Sequence, residues 1–250
     1  MFDPYFVGEV DTKDVRVIET LGTRQFQMLK VVLKLEDQYY VLLLKPNIGR
    51  ERDQIVLDRL KHVFNLRPMH TFGLRLNFVY VNGIRFDANS SEYFAFASAI
   101  ERKQSDCIED VNNLNLEQKI EALMILMFRY IVGATGNQNE HILIQDGHLL
   151  SISEGRFTTM EMCPDFASQF NQIPASVWVK ARKRLLKGVL LDNIRGIVLQ
   201  IDHPTNNIDK KSPKGPLSMA VRRIMFSIEN RLDLVKNLEL KELKEYLRVI

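Results

Sequence analysis

Cysteine is nearly missing from this 250-residue chain, which holds only Cys107 and Cys163. Two thiols that far apart give neither a disulfide framework nor a zinc-finger spacing, so a reducing compartment is expected. An excess of one charge is missing too. Lys and Arg number 34 against 31 Asp and Glu, a formal +3, too even a balance to argue for nucleic acid by itself. No apolar run approaches the ~20 residues that span a bilayer. Met1-Phe2-Asp3-Pro4 lacks the basic opening of a signal peptide. The expectation is a cytoplasmic protein. Repeats and low-complexity tracts are absent as well. What is there is ordinary globular material, 46% hydrophobic and 26% charged, long enough for one large domain or two lobes with a substantial core.

The first third of the chain reads as β structure. Val15-Arg16-Val17-Ile18 leads to a turn at Gly22, and residues 26–35 then alternate near period two. Glu36-Asp37-Gln38 turns the chain into an apolar third strand, residues 39–45, that ends on Lys45. Pro46-Asn47-Ile48-Gly49 breaks it. Residues 50–65 read as a helix with Ile55, Val56, Leu60, Val63 and Phe64 on one face. Residues 72–80 and 84–86, joined by Asn82-Gly83, read as a hairpin. Residues 93–102 read as a short helix and 104–113 as a polar loop.

The best-defined helix opens at Asn115, an N-cap with Gln118 placed to complete a capping box. Leu116, Ile120, Leu123, Met124, Met127, Phe128 and Ile131 follow at helical spacing, and the methionines read as core. Beyond it come a polar loop over 133–141, the strand Ile142-Leu143-Ile144, a turn at Asp146-Gly147 and a second short strand. A helix over 176–190 carries Lys180, Arg182, Lys183, Arg184 and Lys187. Residues 203–216, with Lys210, Lys211 and Lys214, read as an exposed loop. Residues 217–247 give one long helix or two short ones, with apolar positions at Val221, Ile224, Met225, Ile228, Leu232, Val235 and Leu238.

Tyr130-Ile131-Val132-Gly133-Ala134-Thr135-Gly136-Asn137-Gln138-Asn139-Glu140-His141-Ile142-Leu143-Ile144, followed by Ile152-Ser153-Glu154-Gly155, resembles the catalytic and metal-binding loops of phosphatidylinositol 3-/4-kinase-like proteins. The resemblance is nearest to type II phosphatidylinositol 4-kinases, whose Y-I-I-x-N-T-D-R-G-N-D-N-W-L-I and I-D-N-G patterns fall on residues 130–144 and 152–155 without a gap. It implies an α+β, two-lobed protein/lipid-kinase-like fold. Residues 1–90 would be a β-rich N-lobe with the helix 50–65, and residues 91–250 a mainly helical C-lobe. Lys45 stands where the family has its ATP-phosphate lysine. Asp53 follows it by eight residues, as in the family's K-x-G-D-D-L-R-Q-D, so Lys45 and Asp53 are the implied nucleotide-binding pair and ATP the implied cofactor. The phosphate-covering loop would be Leu21-Gly22-Thr23-Arg24-Gln25, with a single glycine.

The chemistry is what this chain lacks. Gly136 occupies the position of the family's catalytic Asp, His141 that of its metal-binding Asn and Ser153 that of its metal-binding Asp. Phosphoryl transfer needs oxygen ligands on magnesium and a carboxylate facing the acceptor hydroxyl. A glycine, an imidazole and a neutral hydroxyl do not replace them. The first reading is therefore a pseudokinase, a binding or scaffolding module with another protein as its partner and without conventional phosphoryl transfer. A second is an atypical metal-dependent transferase acting on a phosphoinositide or protein hydroxyl, with Glu140, His141 and Glu154 as substitute metal and base groups. A third is a structural or interaction protein of unrelated α+β fold. His62, His70, His148 and His203 have no ligating spacing. The basic run Lys180, Arg182, Lys183, Arg184 and Lys187 is open to three readings: a solvated face, a surface for an anionic lipid or nucleic acid, and a seat for an acidic protein. Leu185, Leu186, Val189 and Leu190 would serve a membrane-lying helix or a core equally well.

Overall fold

A computed structural model of the chain describes residues 8–9, 15–21, 28–35, 38–46, 51–68, 71–75, 78–81, 84–87, 92–96, 111–135, 142–151, 156–157, 170–202 and 216–248. The chain divides into two units, one of strands and one mainly of helices.

The first unit is Met1–Ile55, Met69–Glu101 and Asn206–Lys210. Its strands are β1 (Gly8–Glu9), β2 (Val15–Leu21), β3 (Met28–Leu35), β4 (Gln38–Pro46), β5 (Thr71–Arg75), β6 (Phe78–Val81), β7 (Ile84–Asp87) and β8 (Glu92–Phe96). Six of them make one sheet in the order β1-β5-β8-β4-β3-β2, antiparallel except for the β1–β5 pair. The expected β2-β3-β4 meander is present, and its register breaks between Val17 and Glu19. The short helix expected over 93–102 is corrected over 93–96, and residues 97–102 lie outside the described residues. Glu92–Phe96 is a strand inside the sheet, where Phe94 faces Lys45 on one side and Gly73 on the other. Alternating aromatics favour such a pleated, doubly paired position over local helix propensity. Residues 72–80 also divide. β5 joins the large sheet, and β6 pairs with β7 across Asn82-Gly83.

The second unit is Val56–Pro68, Arg102–Thr205 and Lys211–Ile250. Helix α1 (Glu51–Val63) begins in the first unit's sequence, yet Val56, Leu57, Leu60 and Phe64 are buried in the helical core. An apolar stripe goes where apolar area awaits it. From Val56 onward the helix groups with the helical unit. Helix α2 (Leu116–Val132) is the axis of the unit. Every residue from Ile120 to Val132 is buried, and Phe128 meets Phe64 edge-on with ring centroids 5.4 Å apart. A helix covered all round is central rather than superficial. Its predicted start holds: Asn115 accepts from the Gln118 N–H at 2.9 Å, and Gln118 accepts from the Asn115 N–H at 3.0 Å. Leu116, expected in the stripe, is 55% exposed in the first turn.

Around α2 stand α3 (Ala175–Leu185), α4 (Leu191–Asp202), α5 (Pro216–Asn237) and α6 (Leu240–Arg248). The C-terminal stretch thus resolves into two helices, with Ile224, Ile228, Leu232 and Val235 buried on α5. Helix α4 is added to the sequence reading, which ended one helix at 190. Gly188 at φ 74° makes that break possible. Arg195 of α4 bonds Glu229 of α5 at 2.8 Å, and that hydrogen bond is the main reason the Arg195 guanidinium sits above its ordinary pKa. No helix among the described residues is long and apolar enough to cross a membrane.

Asn65 locks two of these helices together. At φ 57° it is the left-handed residue that closes α1, with the Leu66 N–H bonded to Lys61 O at 2.8 Å and its own N–H to His62 O at 3.1 Å. Its side-chain amide also donates to the carbonyls of Arg184, Leu185 and Lys187 at 3.0–3.3 Å, capping the end of α3. Asn65→Gly keeps the backbone conformation and loses these bonds. We expect it to cost about 1–2 kcal/mol in chemical denaturation, and Asn65→Ala about 1 kcal/mol more, because alanine resists the left-handed region. Equal losses in both variants would show that the backbone conformation adds nothing.

Candidate functional site

Two strand pairs in the helical unit flank the stretches where loops were expected over 133–141 and 152–155, of which residues 136–141 and 152–155 lie outside the described residues. Strands β9 (Ala134–Thr135) and β12 (Arg156–Phe157) pair Thr135 with Arg156. Strands β10 (Ile142–Gln145) and β11 (His148–Ser151) pair Ile142 with Ser151. The first loop runs from Thr135 to Ile142 and the second from Ser151 to Arg156. Each loop thus leaves from and returns to a residue that stands opposite the other loop's end in an antiparallel strand pair. The backbones at both mouths lie within the ~4.5–5.5 Å of an antiparallel pair.

Local sequence explains this frame. Asp146 and Gly147 both take positive φ, 52° and 77°, the turn that matches the twist of a two-residue hairpin. Gly133 at φ 74° ends α2 and turns the chain into β9. The polar side chains of α2 then grip the hairpin. Gln118 Nε2 donates to Gly147 O at 3.1 Å. Glu121 takes two bonds of 2.7 Å, one from the Leu149 N–H and one from His148 Nδ1.

A second buried group holds the exit of β11. Lys61 Nζ, on α1, donates to Ser151 O at 2.8 Å and lies 3.9 Å from the Asp58 carboxylate. Arg129 Nη2 donates to Ser151 Oγ at 3.1 Å. All four residues are buried. Burying two cations is unfavourable unless they are bonded, and both converge on the last described residue before the 152–155 loop. The arrangement positions a loop. Catalysis would have to come from the loop residues themselves.

Gly136, Glu140, His141, Ser153 and Glu154 lie outside the described residues, as does the phosphate-covering loop at 22–25. For Lys45 and Asp53 the backbones are placed, in β4 and α1, and the side chains lie outside the described part. Among the described residues no group of three His, Cys, Asp or Glu side chains could hold a metal. The basic run is placed in full. Lys180, Lys183, Arg184 and Lys187 are exposed. Arg182 donates to Leu238 O at 2.7 Å, and Arg184 pairs with Glu117. The alternatives left open for Leu185 and its neighbours narrow: Leu185 and Val189 are buried, Leu186 packs against the core, and Leu190 stays 60% exposed.

Sequence reasoning missed Asp58, Lys61, Glu121, Arg129 and Asn65. A signal was present. Lys61 lies four residues after Leu57 and three before Phe64, and Glu121 and Arg129 stand one position beyond the apolar Ile120 and Phe128. Charges set among core positions announce buried bonds.

No family model matches the chain, and no curated protein matches it. Among solved structures the chain is similar to the crystal structure of a Helicobacter pylori proinflammatory kinase, CtkA. The TM-score is 0.49 at 9% identity, over 90% of this chain and 95% of that one.

Proposed function

We propose that the chain is a two-lobed kinase-like module that binds a partner, with nucleotide held through Lys45 and Asp53, and that it carries out no conventional phosphoryl transfer. The observation that supports this reading most is the pairing of the two loop mouths. In a kinase-like site a catalytic loop and a metal loop must face each other across one magnesium, and Thr135–Arg156 and Ile142–Ser151 tie such loops together at both ends. On that frame Gly136 offers no proton acceptor, and His141 and Ser153 offer no carboxylate or amide oxygen. The scaffold for transfer is kept and the chemistry is gone.

Incubated with radiolabelled ATP and magnesium or manganese, the protein should label neither itself nor phosphoinositide vesicles nor a protein panel, and Gly136→Asp alone should not restore labelling. Labelling that disappears in Lys45→Ala would overturn the reading in favour of the transferase built on Glu140, His141 and Glu154. The nucleotide part has its own readout. ATP at ~100 times its dissociation constant should stabilise the fold by about 2.7 kcal/mol, a rise in Tm of several degrees that Lys45→Ala abolishes.

A further inference from the structure

Helix α3 has two unlike sides. Val177, Trp178, Ala181 and Leu185 are buried in the core. Lys180, Lys183 and Arg184, continued by Lys187 in the turn beyond, are exposed on the other side at intervals of three, four and seven, the spacing of one helix face. Arg67 joins them from the segment after α1, because the Asn65 amide bonded to the carbonyls of Arg184, Leu185 and Lys187 ties that segment to the end of α3. The same bonds occupy carbonyl oxygens that would otherwise turn a negative helix end toward this face.

A pocket of about 90 Å³ opens at this junction, with Asn65, Arg67, Arg184, Glu121, His148 and Leu149 in its lining. It is too small for an ordinary small-molecule site of ~300 Å³ or more, and suits a single side chain. Glu121 is the acid in that lining, and both its oxygens are engaged, by His148 and by the Leu149 N–H. Arg184 leans on Glu117 in an exposed pair, which an arriving carboxylate can displace at little cost. Five exposed cations, Arg67, Lys180, Lys183, Arg184 and Lys187, gather here, and Glu117 pairs with one of them.

We infer that this face seats an acidic segment of a partner protein, one carboxylate entering the pocket between Arg67 and Arg184 and the next ones lying along Lys183, Lys187 and Lys180. The inference stands on the helical unit alone and holds whether or not the kinase-like reading does. The stripe from Lys180 to Lys187 is about 10 Å long at 1.5 Å per residue, the length of about three extended peptide residues. A lipid surface is a poorer occupant. Val177, Trp178, Ala181 and Leu185 of α3 are in the core, which leaves Val179 and Leu190 rather than a whole apolar side to enter the acyl boundary, and a flat membrane does not reach into a pocket. Single-stranded nucleic acid would call for aromatics among the cations, and Trp178, the aromatic of this helix, is buried.

The test is fluorescence anisotropy with a labelled peptide of consecutive glutamates and a glutamine peptide of equal length, on the full chain. The glutamate peptide should bind and the glutamine peptide should not. Arg67→Gln and the pair Lys183→Gln/Lys187→Gln should each weaken binding about tenfold with Tm unchanged, while Arg222→Gln/Arg223→Gln, two exposed cations on α5, should leave it as it is. Four results would overturn the inference: no binding of the glutamate peptide, equal binding of the glutamine peptide, the same loss in the α5 variant as in Arg67→Gln, or tighter, Arg67-independent binding of phosphatidylserine vesicles or an oligonucleotide.

Discussion

Replacing Gly133 by alanine should destabilise the helical unit by about 3 kcal/mol, from two separable causes. The residue sits at φ 74° as the cap of α2, with its N–H directed to the carbonyls of Arg129 and Tyr130. A Cβ in that conformation alone costs about 1–2 kcal/mol. The Cβ would also stand 2.7 Å from Ser227 Oγ and 3.1 Å from Ser227 Cβ on α5, closer than packed atoms tolerate, and relieving such overpacking costs typically ~1–3 kcal/mol. α5 cannot retreat freely. Arg231, one turn on, donates to Tyr130 O at 2.9 Å and lies over the Tyr130 ring at 5.0 Å, so a shift there loosens the cap of α2 as well.

Gly188 supplies the control. Its φ is also 74°, and nothing among the described residues lies within 4 Å of where its Cβ would be. Gly188→Ala should show the conformational cost alone, and the excess in Gly133→Ala measures the contact with α5. Ser227→Ala should be nearly neutral, since its buried Oγ has no hydrogen-bond partner among the described residues. Combined with Gly133→Ala it should recover about 1 kcal/mol, a coupling visible in a double-mutant cycle. If Gly133→Ala cost no more than Gly188→Ala, the close approach of α2 to α5 would be wrong.

What was legible in the sequence follows from how local each signal is. The capping box at Asn115 and Gln118 lies within one turn, the Asp146-Gly147 hairpin within four residues, and the meander from Val15 to Lys45 within neighbouring strands. All three needed nothing from elsewhere. Glu92–Phe96 was misread because its partners, β4 and β5, lie on two different stretches of chain, and only their pairing makes it a strand. The break between α3 and α4 depends on Gly188, one positive-φ residue in a run of helix formers. The residues that frame the site were illegible for the same reason. The resemblance over residues 130–155 named Gly136, His141 and Ser153, which lie outside the described residues, and nothing adjacent says that Lys61, 90 positions earlier, bonds the carbonyl of Ser151. Nor could residues alone say which side of α3 is covered. Leu185, Leu186, Val189 and Leu190 fitted a membrane or a core, and burial assigns Leu185 and Val189 to the core while Leu190 stays exposed.

The hairpin that holds these loops depends on one carboxylate, and Glu121→Ala should cost about 3 kcal/mol. One oxygen of Glu121 accepts the Leu149 N–H, whose residue is 3% exposed, and the other faces His148 Nδ1. Alanine strands that buried N–H, and an unsatisfied buried donor costs about 1–3 kcal/mol. The bond to His148 is lost in addition, with less effect because the imidazole is 37% exposed and water can replace the partner. Glu121→Gln keeps an acceptor for one of the two donors but turns its NH₂ toward the other, so it should fall between alanine and wild type. His148→Ala should be the mildest, about 1 kcal/mol. Amide exchange separates these causes: the Leu149 N–H should lose protection in Glu121→Ala and keep it in His148→Ala. Equal losses of stability and protection in the two variants would mean that Glu121 acts through the histidine alone. The expected order instead makes the α2 carboxylate an anchor of β11, and through Ser151 of the loop that β11 carries.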